Sequence, residues 1–215
     1  MTKLRQILEC RQVADTAASR CIAYAACSEL VASPHEVDPR SALLERAGVG
    51  IDLAYAATLE TLLAEAGNAS LECLRDEYSG LFEVGSDGPP APIREQLARG
   101  DRGGIREEIV RYYEHFNYPL AEPFAWQPDH LSIELEFMHY VCFHESQAPT
   151  ATLALSFQLA QVDFAERHLI TWLPQLATRV DALAPDSLYA RIATSVAQFV
   201  AADHAWQQTT LGQTN

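Results

Sequence analysis

Trp126-Gln127-Pro128-Asp129-His130-Leu131-Ser132-Ile133-Glu134-Leu135-Glu136-Phe137-Met138 joins a loop to a helix and gathers polar residues at the junction. Pro128 has no amide to donate and pushes Gln127 out of the α region, so a helix is expected to start just after it. Asp129 stands where an N-cap belongs. From there to about Glu145, Leu131, Leu135, Met138 and Cys142 recur at helical spacing, with Phe137 and Val141 widening the stripe, so one face is expected to be core. Glu134 and Glu136 flank that face. A capped amphipathic helix leaves His130 without a role.

Working outward, the same periodicity predicts an alanine-rich helix over 4–32, breakable in its middle, then a short one capped by Asp38-Pro39 and ending at Ala47. A helix over 51–66 should stop at Gly67-Asn68 in a left-handed cap, and Asn68 or Ser70 should cap the next, over 71–82. Glu83 to Gly104 is a long Gly/Pro-rich connection around a short piece at 93–98, either a functional loop or a linker between two halves. Helices follow over 105–116, 151–173 (burying Leu155, Leu159, Val162 and Phe164, with Pro174 ending or kinking it), about 176–183, and 188–206, the last capped by Asp186-Ser187. No stretch alternates as a strand does, so the expected fold is all-α, one globular helical domain over 1–206 with a disordered tail over 207–215.

The 215 residues suffice for one domain with a real core. No run of eighteen apolar residues exists and the start is polar, so neither a membrane segment nor a secretory signal is expected, and the chain should stay in the cytoplasm. Cys10, Cys21, Cys27, Cys73 and Cys142 have no Cys-x-x-Cys spacing and read as buried thiols. A formal charge of −14 argues against nucleic acid and permits a basic partner. Between Arg111 and Arg167 there is no Lys or Arg, while Glu114, Glu122, Asp129, Glu134, Glu136, Glu145, Asp163 and Glu166 fall inside. That gap is either a solvated acidic surface or a field that draws in a basic peptide.

Catalytic constellations are sparse. Glu136-x-x-His139 has di-iron spacing, but a second copy on another helix is missing. Asp129-His130 has no nucleophile elbow beside it, and the glycines at 100, 103 and 104 lack the Lys-Ser/Thr of a phosphate loop.

Pro128-Asp129-His130-Leu131 followed by Glu134-Leu135-Glu136-Phe137-Met138 resembles the signature of the TorD/DmsD/NarJ family, all-helical chaperones that help mature molybdenum enzymes of the dimethyl sulfoxide reductase type. Tyr78, Leu81, Phe82, the Gly88–Pro92 segment, Val110, Tyr113, Asn117, Glu122, His168-Leu169 and Trp172-Leu173-Pro174 fall in the family's order, so the resemblance runs from about Tyr78 to Pro174. The Pro-Asp-His block is specific and the rest weak. Phe82-Glu83-Val84-Gly85 and the long Gly-Pro segment resemble the delta subunits that accompany ethylbenzene and dimethyl sulfide dehydrogenases. Trp126-Gln127 stands where the family often has Glu-Pro, which leaves open whether Glu122 takes that acid's place.

The resemblance implies a system-specific chaperone, without catalysis or a cofactor of its own. Its partner would be the catalytic subunit of a molybdenum enzyme, met as a twin-arginine signal peptide or as the apo-core and held until the molybdopterin guanine dinucleotide is inserted. The chain itself would be a monomer or a homodimer. Tyr78, Leu81, Phe82, Pro92, Glu122, Trp126, Pro128, Asp129, His130 and Glu134 are the expected peptide-binding residues. Asp129 would pair with a guanidinium, and His130 would bond peptide backbone or sense pH. A helical metal-dependent enzyme using Glu136 and His139, and an acidic interaction scaffold, are the alternatives.

Overall fold

The structure, a computed structural model, describes residues 13–83, 85–86, 88–100 and 103–211. Residues 4–12 of the expected first helix, with Cys10, and 212–215 of the expected tail lie outside it. The helices are α1 Val13–Val31, α2 Arg40–Ala47, α3 Ala57–Asn68, α4 Leu71–Tyr78, α5 Glu95–Ala98, α6 Ile105–His115, α7 Leu131–Ser146, α8 Ala151–Phe164, α9 Leu173–Leu183 and α10 Leu188–Leu211. A π turn, Ser79–Glu83, continues α4, and another, Ala165–Leu169, continues α8. The described residues contain no strand, and the fold is all-α as expected.

The helix that begins after Pro128 is the centre of the molecule. α1 lies along α7 on one side and α8 packs on it from another, while α2 rests on α3 and α9 on α10. Ile133, Glu134 and Glu145 are buried as well as Leu131, Leu135, Phe137, Met138, Val141 and Cys142, so α7 is covered on most sides rather than on one face. Its start also differs from expectation. His130, not Asp129, is the N-cap, with an extended backbone and a ring nitrogen that accepts the Ser132 amide at 3.2 Å. Asp129 lies one residue too early to reach that turn, and its carboxylate points to other donors.

Other departures have local causes. Gly67 does not end α3 in a left-handed turn; it lies buried within the helix, where an added Cβ would stand 2.6 Å from Leu44 Cγ, so its smallness lets α2 approach. Ser70 caps α4, its hydroxyl accepting the Cys73 amide at 3.1 Å. Pro174 begins a helix instead of ending one, in the first turn of α9, where a missing N–H costs nothing. α10 continues through 207–211, residues expected in the disordered tail, because Gln207 is buried and bonds Asp203 one turn back at 2.7 Å.

The largest departure is polar. Arg20 on α1 is fully buried, and its guanidinium donates to Asp203 on α10 at 2.5 and 2.9 Å and to Gln161 on α8 at 2.6 Å. It also faces Glu145 on α7 at 3.4 Å. Tyr24 and Tyr55 donate to Asp203 at 2.8 and 3.0 Å, while Gln158 and Gln161 donate to Glu145 at 2.9 and 2.7 Å. Every buried charge in this network has a partner, which is the condition for tolerating one. The network explains why α8 turns Gln158 and Gln161 inward while Leu159 is 54% exposed and Val162 only half-buried.

Candidate functional site

Ile93 to Glu95 runs antiparallel to Asp129 to Leu131: the Leu131 amide donates to the Ile93 carbonyl at 3.1 Å and the Glu95 amide to the Asp129 carbonyl at 2.9 Å. This short pairing ties the Gly/Pro-rich connection to the start of α7. On one side of it lies a hollow of about 260 Å³, lined among others by Tyr78, Phe82, Pro89, Leu97, Trp126 and His130. Tyr78, Phe82 and Tyr189 meet edge to face at 5.0 to 5.7 Å. Trp126 is 59% exposed at the rim.

A second hollow of about 380 Å³ between α1, α2 and α7 shares Ser33 and Glu36 with the first, so the two are neighbours. Glu29, Glu36, Asp38, Glu83 and Glu136 line the pair of hollows against Arg46 and Arg94. Glu29 is bound to Arg46 at 2.5 Å and Asp38 to Arg40 at 2.8 Å. One hollow is thus largely aromatic, and the two together are lined by more acids than bases.

His130 is 5% exposed and bonded on both nitrogens. Because Nδ1 accepts the Ser132 amide, its proton rests on Nε2, 3.0 Å from the Tyr78 hydroxyl oxygen that accepts it. Burial, and then the nearby Arg94 charge, push its pKa down to about 4, so the ring is neutral at physiological pH and does not serve as a sensor there.

Asp129 is fully buried. Its carboxylate accepts from Arg94 at 3.3 and 3.4 Å and from the Gln96 amide at 3.2 Å, and it lies 3.6 Å from Arg106 Nε. The guanidinium expected from a ligand is therefore supplied by the chain itself. Arg94 also stands over the Trp126 ring, 5.4 Å from its centroid, and Arg106 donates to the Trp126 carbonyl.

The other expected residues are dispersed. Leu81 is buried behind the hollow, and Pro128 is buried with its carbonyl accepting the Tyr113 hydroxyl at 2.9 Å. Pro92 opens on a different hollow, shared with Trp172 and Arg179. Glu122 is exposed on a 3₁₀ turn, Glu122–Phe124, outside the lining of both hollows.

Glu134 is in the interior, not at the surface. Burial, followed by the charges of Glu95 and Asp129, raises its pKa well above the ordinary range. Nearby, Glu95 is bound by Arg99 and by His168 Nδ1 at 2.9 Å. The long acidic gap in the sequence therefore overstates the acidic surface, since Asp129, Glu134 and Glu145 all lie inside.

The Glu136-His139 pair does not form a metal site. His139 turns toward α1, its Nδ1 3.1 Å from Cys21 Sγ and 3.0 Å from the Cys21 carbonyl, while Glu136 is exposed. Among the described residues no cluster of three or more His, Cys, Asp or Glu side chains is placed to hold a metal ion. No described helix is long and apolar enough to cross a membrane.

Sequence reading missed Arg94, Arg106 and Arg20. The gap itself held the signal: acids buried within a stretch free of Lys and Arg must draw their cations from elsewhere, and Arg94, Arg99 and Arg106 lie just upstream of it.

The described residues form an all-α domain that carries an aromatic hollow beside an acid-lined one. Residues 50–178 match the family model described as nitrate reductase delta subunit. The chain belongs to this family, within the TorD/DmsD/NarJ group that the Pro-Asp-His block resembles, and the match reaches further toward the N-terminus than Tyr78.

The chain is 37% identical over 134 residues to the selenate reductase assembly chaperone protein of Thauera selenatis, covering 61% of this chain and 68% of that protein. It is 37% identical over 132 residues to the chlorate reductase assembly chaperone protein of Ideonella dechloratans, covering 60% and 67%. Over 100 residues it is 37% identical to the chaperone protein TorD of Vibrio cholerae, covering 46% and 43%. No solved structure matches the chain.

Proposed function

We propose that this protein is a system-specific assembly chaperone for the catalytic subunit of a molybdenum oxidoreductase, acting in the cytoplasm before export and performing no catalysis of its own. Its relatives named as reductase assembly chaperones support the class. The observation that carries the reading is the pair of neighbouring hollows, one lined by Trp126, Phe82 and Tyr78 with Glu83, the other by Glu29, Asp38 and Glu136, with Glu36 in both. A twin-arginine signal, basic and then apolar, has the complementary pattern. Covering the exposed part of Trp126 would contribute about 3 kcal/mol, the scale of an aromatic anchor. The net charge of −14 speeds encounter with a cationic segment and makes it salt-sensitive.

The test is calorimetric titration with a peptide carrying an arginine pair and an apolar run, at low and high salt. Saturable binding that weakens with salt and falls at least tenfold in Trp126→Ala supports the reading, on the scale of a hot-spot truncation. A peptide that binds wild type and Trp126→Ala alike, or neither, overturns it.

A further inference from the structure

From Phe137 to Val162, over the second half of α7 and most of α8, the sequence has a single Asp, Glu, Lys or Arg, in a chain where 20% of the residues are of these types. That residue, Glu145, is buried in the Arg20 network and brings no charge to the outer surface of the two helices. We propose that this uncharged face, together with Phe116 just after α6, is where a second copy of the chain docks.

The buried network also explains why the face is apolar. α8 turns Gln158 and Gln161 inward to Glu145, which leaves Leu159 54% exposed and, in the first turn, Leu153 43% exposed. Phe143 on α7 is 48% exposed. Ring contacts join these pieces: Phe143 meets His144 at 5.6 Å, His144 stacks on Phe157 at 5.5 Å, and Phe157 meets Phe116 at 5.8 Å. His144, Phe157 and Phe116 are themselves only half-buried. Leu153 precedes Phe157 by one turn of α8, and Phe116 shares a hollow of about 460 Å³ with Leu159. An aromatic and apolar band without charge has the composition of an interface core.

The charge of the chain selects the occupant. At −14, two copies repel wherever acids face acids, and the Phe137–Val162 surface is where they need not. A basic partner is drawn instead to the acid-lined hollow by α1 and α2. A two-fold axis sets the same patch on both sides of an interface, so an uncharged apolar patch meets itself with no opposite charges to match. The hollow beside Leu159 also holds Arg111 and Asp163, whose signs oppose, so it adds no net charge.

Sedimentation velocity of the full chain, from micromolar to hundreds of micromolar, tests the proposal. Wild type should pass from monomer to dimer as concentration rises, and the dimer should tighten severalfold at high salt, which screens the repulsion of two acidic chains. Leu159→Arg and Phe143→Arg each set like charges across the two-fold axis. Each should weaken the dimer at least tenfold while leaving the melting temperature near that of wild type. Leu183→Arg, at a position 50% exposed at the end of α9, should leave the dimer unchanged.

A wild type that stays monomeric over the whole range would overturn the proposal. So would a dimer that both arginine variants of the face leave intact, one that Leu183→Arg weakens equally, or one that loosens as salt rises. The readout needs no peptide, so it stands or falls separately from the titration above.

Discussion

Replacing Asp203 by Ala would remove the acceptor at the hub of the buried network. Its carboxylate takes five hydrogen bonds, two from Arg20 and one each from Tyr24, Tyr55 and Gln207. With it gone, Arg20 stays fully buried with Glu145 as its remaining acidic partner at 3.4 Å. Breaking a buried ion pair from one side costs about 3–5 kcal/mol, because the surviving charge is left uncompensated. For a chain of this size that lowers the melting temperature by about 10 °C.

Urea unfolding of wild type, Arg20→Ala, Asp203→Ala and the double variant measures this directly. The two losses should be far from additive, with a coupling energy of about 2 kcal/mol or more, since the second removal relieves the charge stranded by the first. The pH dependence has a definite sign. Burial alone would raise the Asp203 pKa, but the Arg20 charge and the bonds from Arg20, Tyr24 and Tyr55 hold it below the ordinary value. Its stabilisation is therefore complete above the unfolded value of about 3.9 and is lost as pH falls through the lower folded value. An Asp203→Ala loss below about 1 kcal/mol, or additive single losses, would refute the reasoning.

Three further outcomes follow from the site. Glu134→Gln should raise the melting temperature at pH 8 and change it less at pH 5. The raised pKa of Glu134 makes wild-type stability complete below the unfolded carboxyl value and diminishing as pH rises, so a lower melting temperature for the variant at pH 8 would contradict this account. His130, its pKa depressed to about 4, should make wild type lose about 3 kcal/mol between about pH 6.5 and pH 4, a slope that urea midpoints of His130→Gln should lack. Ser70→Ala should cost about 1 kcal/mol in urea unfolding, the worth of a helix cap, without changing peptide affinity.

Local chemistry was legible in the sequence and long-range pairing was not. Pro128 and the spacing from Leu131 located α7 to within two residues at its start, and Ser70 capped the helix it was expected to cap. Those features depend on residues a few positions apart. Asp129 was misread as a cap because its partners, Arg94 and Arg106, come from a segment that only the fold brings near. Leu159 follows the apolar period and is nevertheless exposed, since the side of α8 that faces inward carries Gln158 and Gln161 to meet Glu145. Arg20 and Asp203, 183 positions apart, carry no mutual signal in a single sequence. Of the residues lining the hollows, Tyr78, Phe82 and His130 were grouped in advance through the family resemblance and Trp126 as an apolar neighbour of the Pro-Asp-His loop, whereas the acidic residues on α1 and beside α2 were not.

The most direct measurement is the molybdenum content of the client's catalytic subunit, purified from cells that carry this protein, lack it, or carry Trp126→Ala, with the client made in equal amounts. The account predicts a severalfold loss of bound molybdenum without the chaperone and only partial restoration by Trp126→Ala. Full molybdenum loading in cells that lack the protein would contradict it.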